Sequence, residues 1–153
     1  MVSLNRTSAD HPDFLFLVEL LDKDLWNRYP DTQDFFEAFN VIKLDAQVVV
    51  AYVDDQPVGC GCIRAMPTQG TVEIKRMYVK DEARGKGIAR KILGELEAWA
   101  VEEGKERAIL ETGVNQPEAV SLYRKLGYEQ IERYEPYVDS EASICMGKAF
   151  ARK

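Results

Sequence analysis

A chain of 153 residues has the length of one domain and can bury a single core without cross-links. Hydrophobic residues at 46% and charged residues at 30% describe an ordinary globular protein, and no apolar run approaches the ~18 residues needed to span a bilayer. A net charge of −6 argues against nucleic acid and anionic membranes as main partners.

In chain order, the alternation of Val2 to Arg6 predicts a first strand. Asp10 or Asp13 can cap a helix whose apolar positions Phe14, Leu17, Val18, Leu21 and Leu25 recur at three- and four-residue steps. Tyr29-Pro30 ends it, because proline cannot continue the hydrogen-bond ladder. A shorter helical stretch follows from Asp31, carrying Phe35, Phe36 and Phe39. Gln47 to Val53 is β-branched and apolar, Asp54-Asp55-Gln56-Pro57 turns the chain, and Val58 to Met66 runs back as a hairpin partner. After a turn at Pro67 to Gly70, Thr71 to Lys80 completes a meander. A long amphipathic helix then presents Ile88, Ile92, Leu96 and Trp99 on one face and stops near Gly104. Ala108 to Thr112 is a short strand, and Pro117 opens a helix that Gly127 closes. Tyr128 to Tyr134, a loop containing Pro136, and a last strand from Ala142 to Phe150 finish the chain.

Charge is unevenly placed. From Asp10 to Asn40 eight acids (Asp10, Asp13, Glu19, Asp22, Asp24, Asp31, Asp34, Glu37) face only Lys23 and Arg28, so this segment carries the whole net charge of −6. It reads as a solvated helix face or as a wall that attracts a cation. Cys60, Cys62 and Cys145 are odd in number, and Cys60 and Cys62 share one face of a strand, which rules out a local disulfide. Reduced, buried thiols and a cytoplasmic location are the expectation, with no signal peptide at the N-terminus. A single histidine and no Cys-x-x-Cys make a metal site unexpected.

The strand ending at Val79 leads into Arg84-Gly85-Lys86-Gly87-Ile88-Ala89 and then a helix. Glycines let the backbone turn sharply and bring successive N–H groups to an anion, and the helix start adds unpaired donors and a positive dipole end. Arg84, Lys86, Arg90 and Lys91 add mobile cations. A Walker loop requires Gly-Lys-Ser/Thr, but Ile88 follows Gly87; a Rossmann fingerprint requires a third glycine where Arg90 stands. The alternative is a basic glycine turn that merely begins a surface helix.

The pattern Arg-x-x-Gly-x-Ala at Arg84, Gly87 and Ala89 resembles the acetyl-CoA signature of the GNAT superfamily of N-acetyltransferases. The preceding Glu73-Ile74-Lys75-Arg76-Met77-Tyr78-Val79 looks like the family's central strand. Glu111-Thr112-Gly113, Asn115, Ala119, Leu122-Tyr123 and Lys125-Leu126-Gly127-Tyr128 are similar to its second block. The resemblance runs from about Gln47 to Phe150 and fades over the first forty residues. It implies one N-acetyltransferase domain over residues 1–153, of α/β (α+β) class. Such a domain has a central, mixed, mostly antiparallel twisted sheet of six to seven strands flanked by about four helices.

The same resemblance implies acetyl-CoA as co-substrate, no metal, and a monomer or homodimer. The cofactor would be held by Met77, Tyr78 and Val79 through a strand-like pairing of their backbone with pantetheine. The turn Arg84, Gly85, Lys86, Gly87, Ile88 and Ala89 would take the phosphates. Asn115, before Pro117, would cap the following helix or bond the pantetheine arm, and the two roles are compatible. The bulge or splay that would free the Met77 to Val79 backbone is not legible in sequence.

For chemistry, an ammonium of pKa about 10.4 must lose a proton, and a thiolate must gain one. Glu73, six residues before Val79, is spaced like the glutamate base of histone-modifying members; otherwise it is a strand carboxylate paired with Arg64 or Lys75. Tyr123, eight residues after Asn115, matches the family's tyrosine acid; otherwise it is a core aromatic. Trp26, Tyr29, Phe35 and Phe36 are either pocket lining or core, and Tyr134, Glu135 and Tyr137 lie near the expected acceptor mouth. The expected acceptor is a small amine or amino-acid-like molecule acetylated directly in a ternary complex. A protein or peptide N-terminus or lysine is second, and a non-catalytic acyl-CoA-binding module is the rival of another class.

Overall fold

The computed structural model describes residues 1–28 and 46–150. Seven strands form one sheet: β1 (Val2–Ser8), β2 (Gln47–Val53), β3 (Gln56–Ala65), β4 (Thr71–Val79), β5 (Arg107–Gly113), β6 (Glu129–Ile131) and β7 (Ser143–Ala149). Their spatial order is β1-β2-β3-β4-β5-β7-β6, and every neighbouring pair is antiparallel except β4 with β5. Three helices stand among the described residues: α1 (Pro12–Arg28), α2 (Ile88–Glu102) and α3 (Pro117–Lys125). The short helix expected from Asp31, with Phe35, Phe36 and Phe39, lies outside them, as do Tyr29 and Pro30.

The two faces of the sheet follow from period-two alternation. Val48, Val50, Cys60 and Cys62 are buried with Phe14, Leu17 and Val18 of α1. Val49, Ala51, Ile63 and Ile74 point the other way, onto Ile88, Ile92, Leu93 and Leu96 of α2. Each of those fully buried aliphatic chains is worth about 1.5–3 kcal/mol of hydrophobic stabilisation. Trp99, expected on the same face, is only half-buried, and the Arg6 guanidinium lies over its ring at 4.9 Å.

Some boundaries differ from expectation for local reasons. The β2–β3 turn is the two residues Asp54-Asp55, both with positive φ (50° and 62°), as a tight hairpin requires, so β3 begins at Gln56. Pro12 opens α1, and the His11 ring Nδ1, rather than an aspartate side chain, accepts the Asp13 N–H at 3.1 Å. Of the stretch Tyr128 to Tyr134, Glu129–Ile131 forms a strand and pairs with β7.

Candidate active site

β4 is irregular where the sheet could not be read from sequence. It pairs with β3 as far as Lys75↔Cys62 and resumes at Tyr78↔Cys60, so Arg76 and Met77 stand opposite the single Gly61. Arg76 takes φ +60°, a left-handed backbone uncommon outside glycine, and its guanidinium donates to Asp22 Oδ1 of α1 at 2.6 Å. A Cβ on Gly61 would collide with Met77 Sδ, so glycine here makes room for the bulge. On the other edge, the parallel pairing with β5 ends at Ile74↔Leu110, while β5 continues against β7 to Gly113↔Ser143. Among the described residues the two strands therefore part beyond Ile74. The bulge and the splay that backbone recognition of a cofactor would need are both present.

A cleft of about 360 Å³ opens along that parting. Met77, Tyr78 and Val79 line one side, the turn Arg84, Gly85, Gly87, Ile88 and Ala89 its end, and Gln116, Ala119, Leu122 and Tyr123 the other side. Gly85 and Gly87 have φ +80° and +77°, and nothing lies within 4 Å of where their Cβ atoms would be. The first four N–H groups of a helix have no intrahelical acceptor, so the start of α2 supplies donors to this end of the cleft. Arg84 is not the mobile cation expected. Its Nε donates to the Val79 carbonyl at 2.8 Å, and it pairs with Asp81 at 2.6 Å. Arg90 lines the cleft, whereas Lys86 is exposed and does not.

A second cavity of about 120 Å³ adjoins the first. Leu21, Met77, Gln116, Ala119 and Tyr123 line both, so Tyr123 stands where the two meet. Its ring packs edge-on against Tyr128 at 5.8 Å, and burial pushes its phenol well above the ordinary range. The hydroxyl therefore stays protonated near neutral pH.

The smaller cavity is lined with charge. Glu73 is 1% exposed; its Oε1 accepts from Arg64 Nε at 2.8 Å and its Oε2 from Tyr134 OH at 2.8 Å. Lys75 Nζ donates to Tyr137 OH at 3.2 Å and sits 4.0 Å from Glu73, and burial lowers its pKa. Glu111, on β5, accepts from Ser143 Oγ at 2.6 Å, and burial lifts its carboxyl above the usual carboxylate range. Leu21 brings α1 to this wall, but Asp22 is committed to Arg76 and Asp13 accepts from Tyr52 OH at 2.6 Å. Asp31, Asp34, Glu37, Tyr29, Phe35 and Phe36 lie outside the described residues, and the Trp26 side chain is not described either.

The sequence profile of the Acetyltransferase (GNAT) family matches residues 11–128. The chain belongs to the GNAT family. It is 34% identical over 148 residues, 96% of its length and 97% of the relative's, to the IAA acetyltransferase of Azospirillum brasilense. Its fold matches the PaiA N-acetyltransferase of Thermoplasma acidophilum solved with coenzyme A, at TM-score 0.74 and 17% identity over 97% of this chain and 99% of that one. It also matches the IAA acetyltransferase of Bacillus cereus at TM-score 0.71 and 18% identity, over 98% and 100% of the two chains.

The protein is accordingly an acetyl-CoA-dependent acetyltransferase of GNAT fold. One expectation needs correction. The residue capping α3 is Gln116, not Asn115; its side-chain Oε1 accepts the Gly113 N–H at 3.2 Å. Asn115 is exposed and lines neither cavity, whereas Gln116 lines both. Gln116 precedes Pro117, and that position just before the proline was the signal available for it. The three cysteines are free and buried, none lines either cavity, and burial pushes Cys60, Cys62 and Cys145 all upward, away from thiolate chemistry. Among the described residues no group of three or more His, Cys, Asp or Glu could hold a metal ion.

Proposed function

We propose that this acetyltransferase moves the acetyl group of acetyl-CoA to the primary amine of a small, amino-acid-like acceptor, by direct attack in a ternary complex. The observation that carries the reading is the meeting of the two cavities at Tyr123, one framed by the glycine turn and the other by buried charge. Coenzyme A would lie in the larger cleft, its phosphates at Gly85 to Ala89, where a helix start supplies N–H donors, and its pantetheine along Met77 to Val79. Acetyl-CoA supplies the activated acyl group. A backbone N–H of the bulged segment would polarise the thioester carbonyl.

Tyr123 would protonate the departing thiolate. Both the phenol and the sulfur lie in the same desolvated place, which makes each a stronger base, so burial of Tyr123 does not penalise the transfer. A cavity carboxylate would take the ammonium proton; spacing singles out Glu73, which would need an intervening water because both of its oxygens already accept. The size of the acceptor cavity among the described residues, about 120 Å³, favours a small molecule over a folded protein segment.

The test is thiol release from acetyl-CoA against free amino acids, spermidine and a lysine peptide, with a thermal shift by acetyl-CoA in parallel. Turnover on a small amine with a cofactor-induced shift is expected. A shift without turnover on any amine supports the binding module, and turnover confined to the peptide supports the protein acceptor.

A further inference from the structure

Two carboxylates line the acceptor cavity, and their company differs. Glu73 has both oxygens engaged at 2.8 Å, one by the permanent cation Arg64 and one by the Tyr134 hydroxyl. An entering ammonium would have to compete with a guanidinium for it. Glu111 sits on the neighbouring strand, on the same sheet face by alternation, since Glu73 pairs with Ile109 and Glu111 lies two residues on. Its Oε2 accepts from the neutral Ser143 hydroxyl at 2.6 Å, and Ser143 Oγ lies 2.8 Å from Ser140 Oγ. Among the described residues it forms no ion pair.

The groups around it come from four elements. Lys75 and Glu73 act on it from β4, and it acts in turn on Tyr123 of α3, on Tyr137 of the loop before β7, and on Cys145 of β7. Lys75 and the Ser143 hydroxyl favour its charged form, while burial and Glu73 oppose it. Its electrostatic reach to Tyr123 matters most, because Tyr123 marks the junction with the cofactor cleft.

We infer that Glu111 is the residue that meets the acceptor's ammonium and takes its proton, while Glu73 organises Arg64 and Tyr134 at the cavity wall. This rests on the acetyl-transfer reading above. One ammonium proton passes to a Glu111 oxygen, and the freed nitrogen lone pair bonds to the thioester carbon. The C–S bond then breaks with its electron pair on sulfur. Tyr123 protonates that sulfur, and the second amine proton, lost as the neutral amide forms, restores the phenol. Glu111 returns its proton to solvent.

The pH profile of kcat/KM on an amine the wild type accepts distinguishes the two carboxylates. The wild type should show an acidic limb above the ordinary carboxylate range of about 4.3, because only ionised Glu111 accepts a proton. Glu111→Gln should lose that limb and about 10²–10⁴ in kcat, with its acetyl-CoA thermal shift intact. Glu73→Gln should keep the limb. Ser143→Ala, which removes a donor to the charged form, should move the limb upward by about one pH unit, a readout that does not depend on Glu111→Gln folding. A limb retained in Glu111→Gln, abolished in Glu73→Gln, or unmoved in Ser143→Ala overturns the assignment and leaves acetyl transfer standing. Absence of turnover on any amine sinks both.

Discussion

The guanidinium of Arg76 meets the carboxylate of Asp22 at 2.6 Å, which ties α1 to the one β4 residue with a left-handed backbone. The pair therefore links α1 to the bulge beside the larger cleft. Asp22 is 44% exposed but the Arg76 side chain only 9%, so removing the carboxylate beside a nearly buried guanidinium should cost more than a surface pair, about 2 kcal/mol, or about 4–8 °C in melting temperature. Asp22→Ala should also raise the KM for acetyl-CoA, because Arg76 no longer holds the bulge to α1. Steady-state kinetics beside a thermal melt would check both, and an unchanged KM would show that the bulge is held by the sheet alone.

Gly87→Asp places a carboxylate at the glycine turn. Its Cβ enters open space, so the cost to the fold is the left-handed backbone alone, about 1–2 kcal/mol. The thermal stabilisation by acetyl-CoA should disappear while the melt stays cooperative. Undiminished stabilisation would remove the turn from the cofactor site.

Tyr123→Phe keeps the edge-on contact with Tyr128 and removes only the hydroxyl. We expect kcat to fall about 10²-fold with acetyl-CoA affinity near wild type. If kcat holds, some other donor protonates the thiolate.

Gly61→Ala should be far more damaging than its size suggests. The added methyl collides with Met77 Sδ and comes within 3.0 Å of Leu96 Cδ1, an overpacking worth about 1–3 kcal/mol. Met77 lines both cavities, so activity should fall along with the melting temperature. A neutral outcome would mean that Met77 can swing aside without cost.

Alkaline pH should destabilise the protein in a defined window. Burial pushes the Cys62 thiol up to about 12, and burial with the Asp13 hydrogen bond pushes the Tyr52 phenol to about 12. The unfolded chain releases these protons near ~8.5 and ~10, so between those values and ~12 the native state binds more protons. Stability must then fall as pH rises from about 8.5. Urea midpoints at pH 7, 9 and 10 would check the slope, and Cys62→Ala should lessen its lower part, with Cys60 and Cys145, also pushed up by burial, supplying the remainder.

Much of this was legible because local rules and global packing agreed. The β-branched, apolar run Gln47–Val53 and the spacing of Ile88, Ile92 and Leu96 pointed to the sheet and its covering helix, and Gly85 and Gly87 marked the left-handed turn. The bulge was not legible, because Arg76 is a residue whose own preferences deny a positive φ; tertiary contacts with Asp22 and Gly61 impose it. Glu111 escaped notice for a related reason. Its burial and its Ser143 partner arise from β5–β7 pairing across more than thirty residues of chain, which no short motif records. Glu73 illustrates the converse: its spacing was plain, but its saturation by Arg64 and Tyr134 depends on a loop sixty-one residues away.

The parting of β4 from β5 beyond Ile74↔Leu110 leaves an open seam in an otherwise continuous ladder. Strand amides alternate between edges, and the Lys80 N–H donates to Val58 of β3, so the Val79 N–H faces the seam and should trade with deuterium faster than the β4 amides that the Thr71–Ile74 ladder with β5 protects. An extended arm laid into the seam would act as a surrogate strand, so slowed exchange at Val79 would report occupancy without any turnover at all.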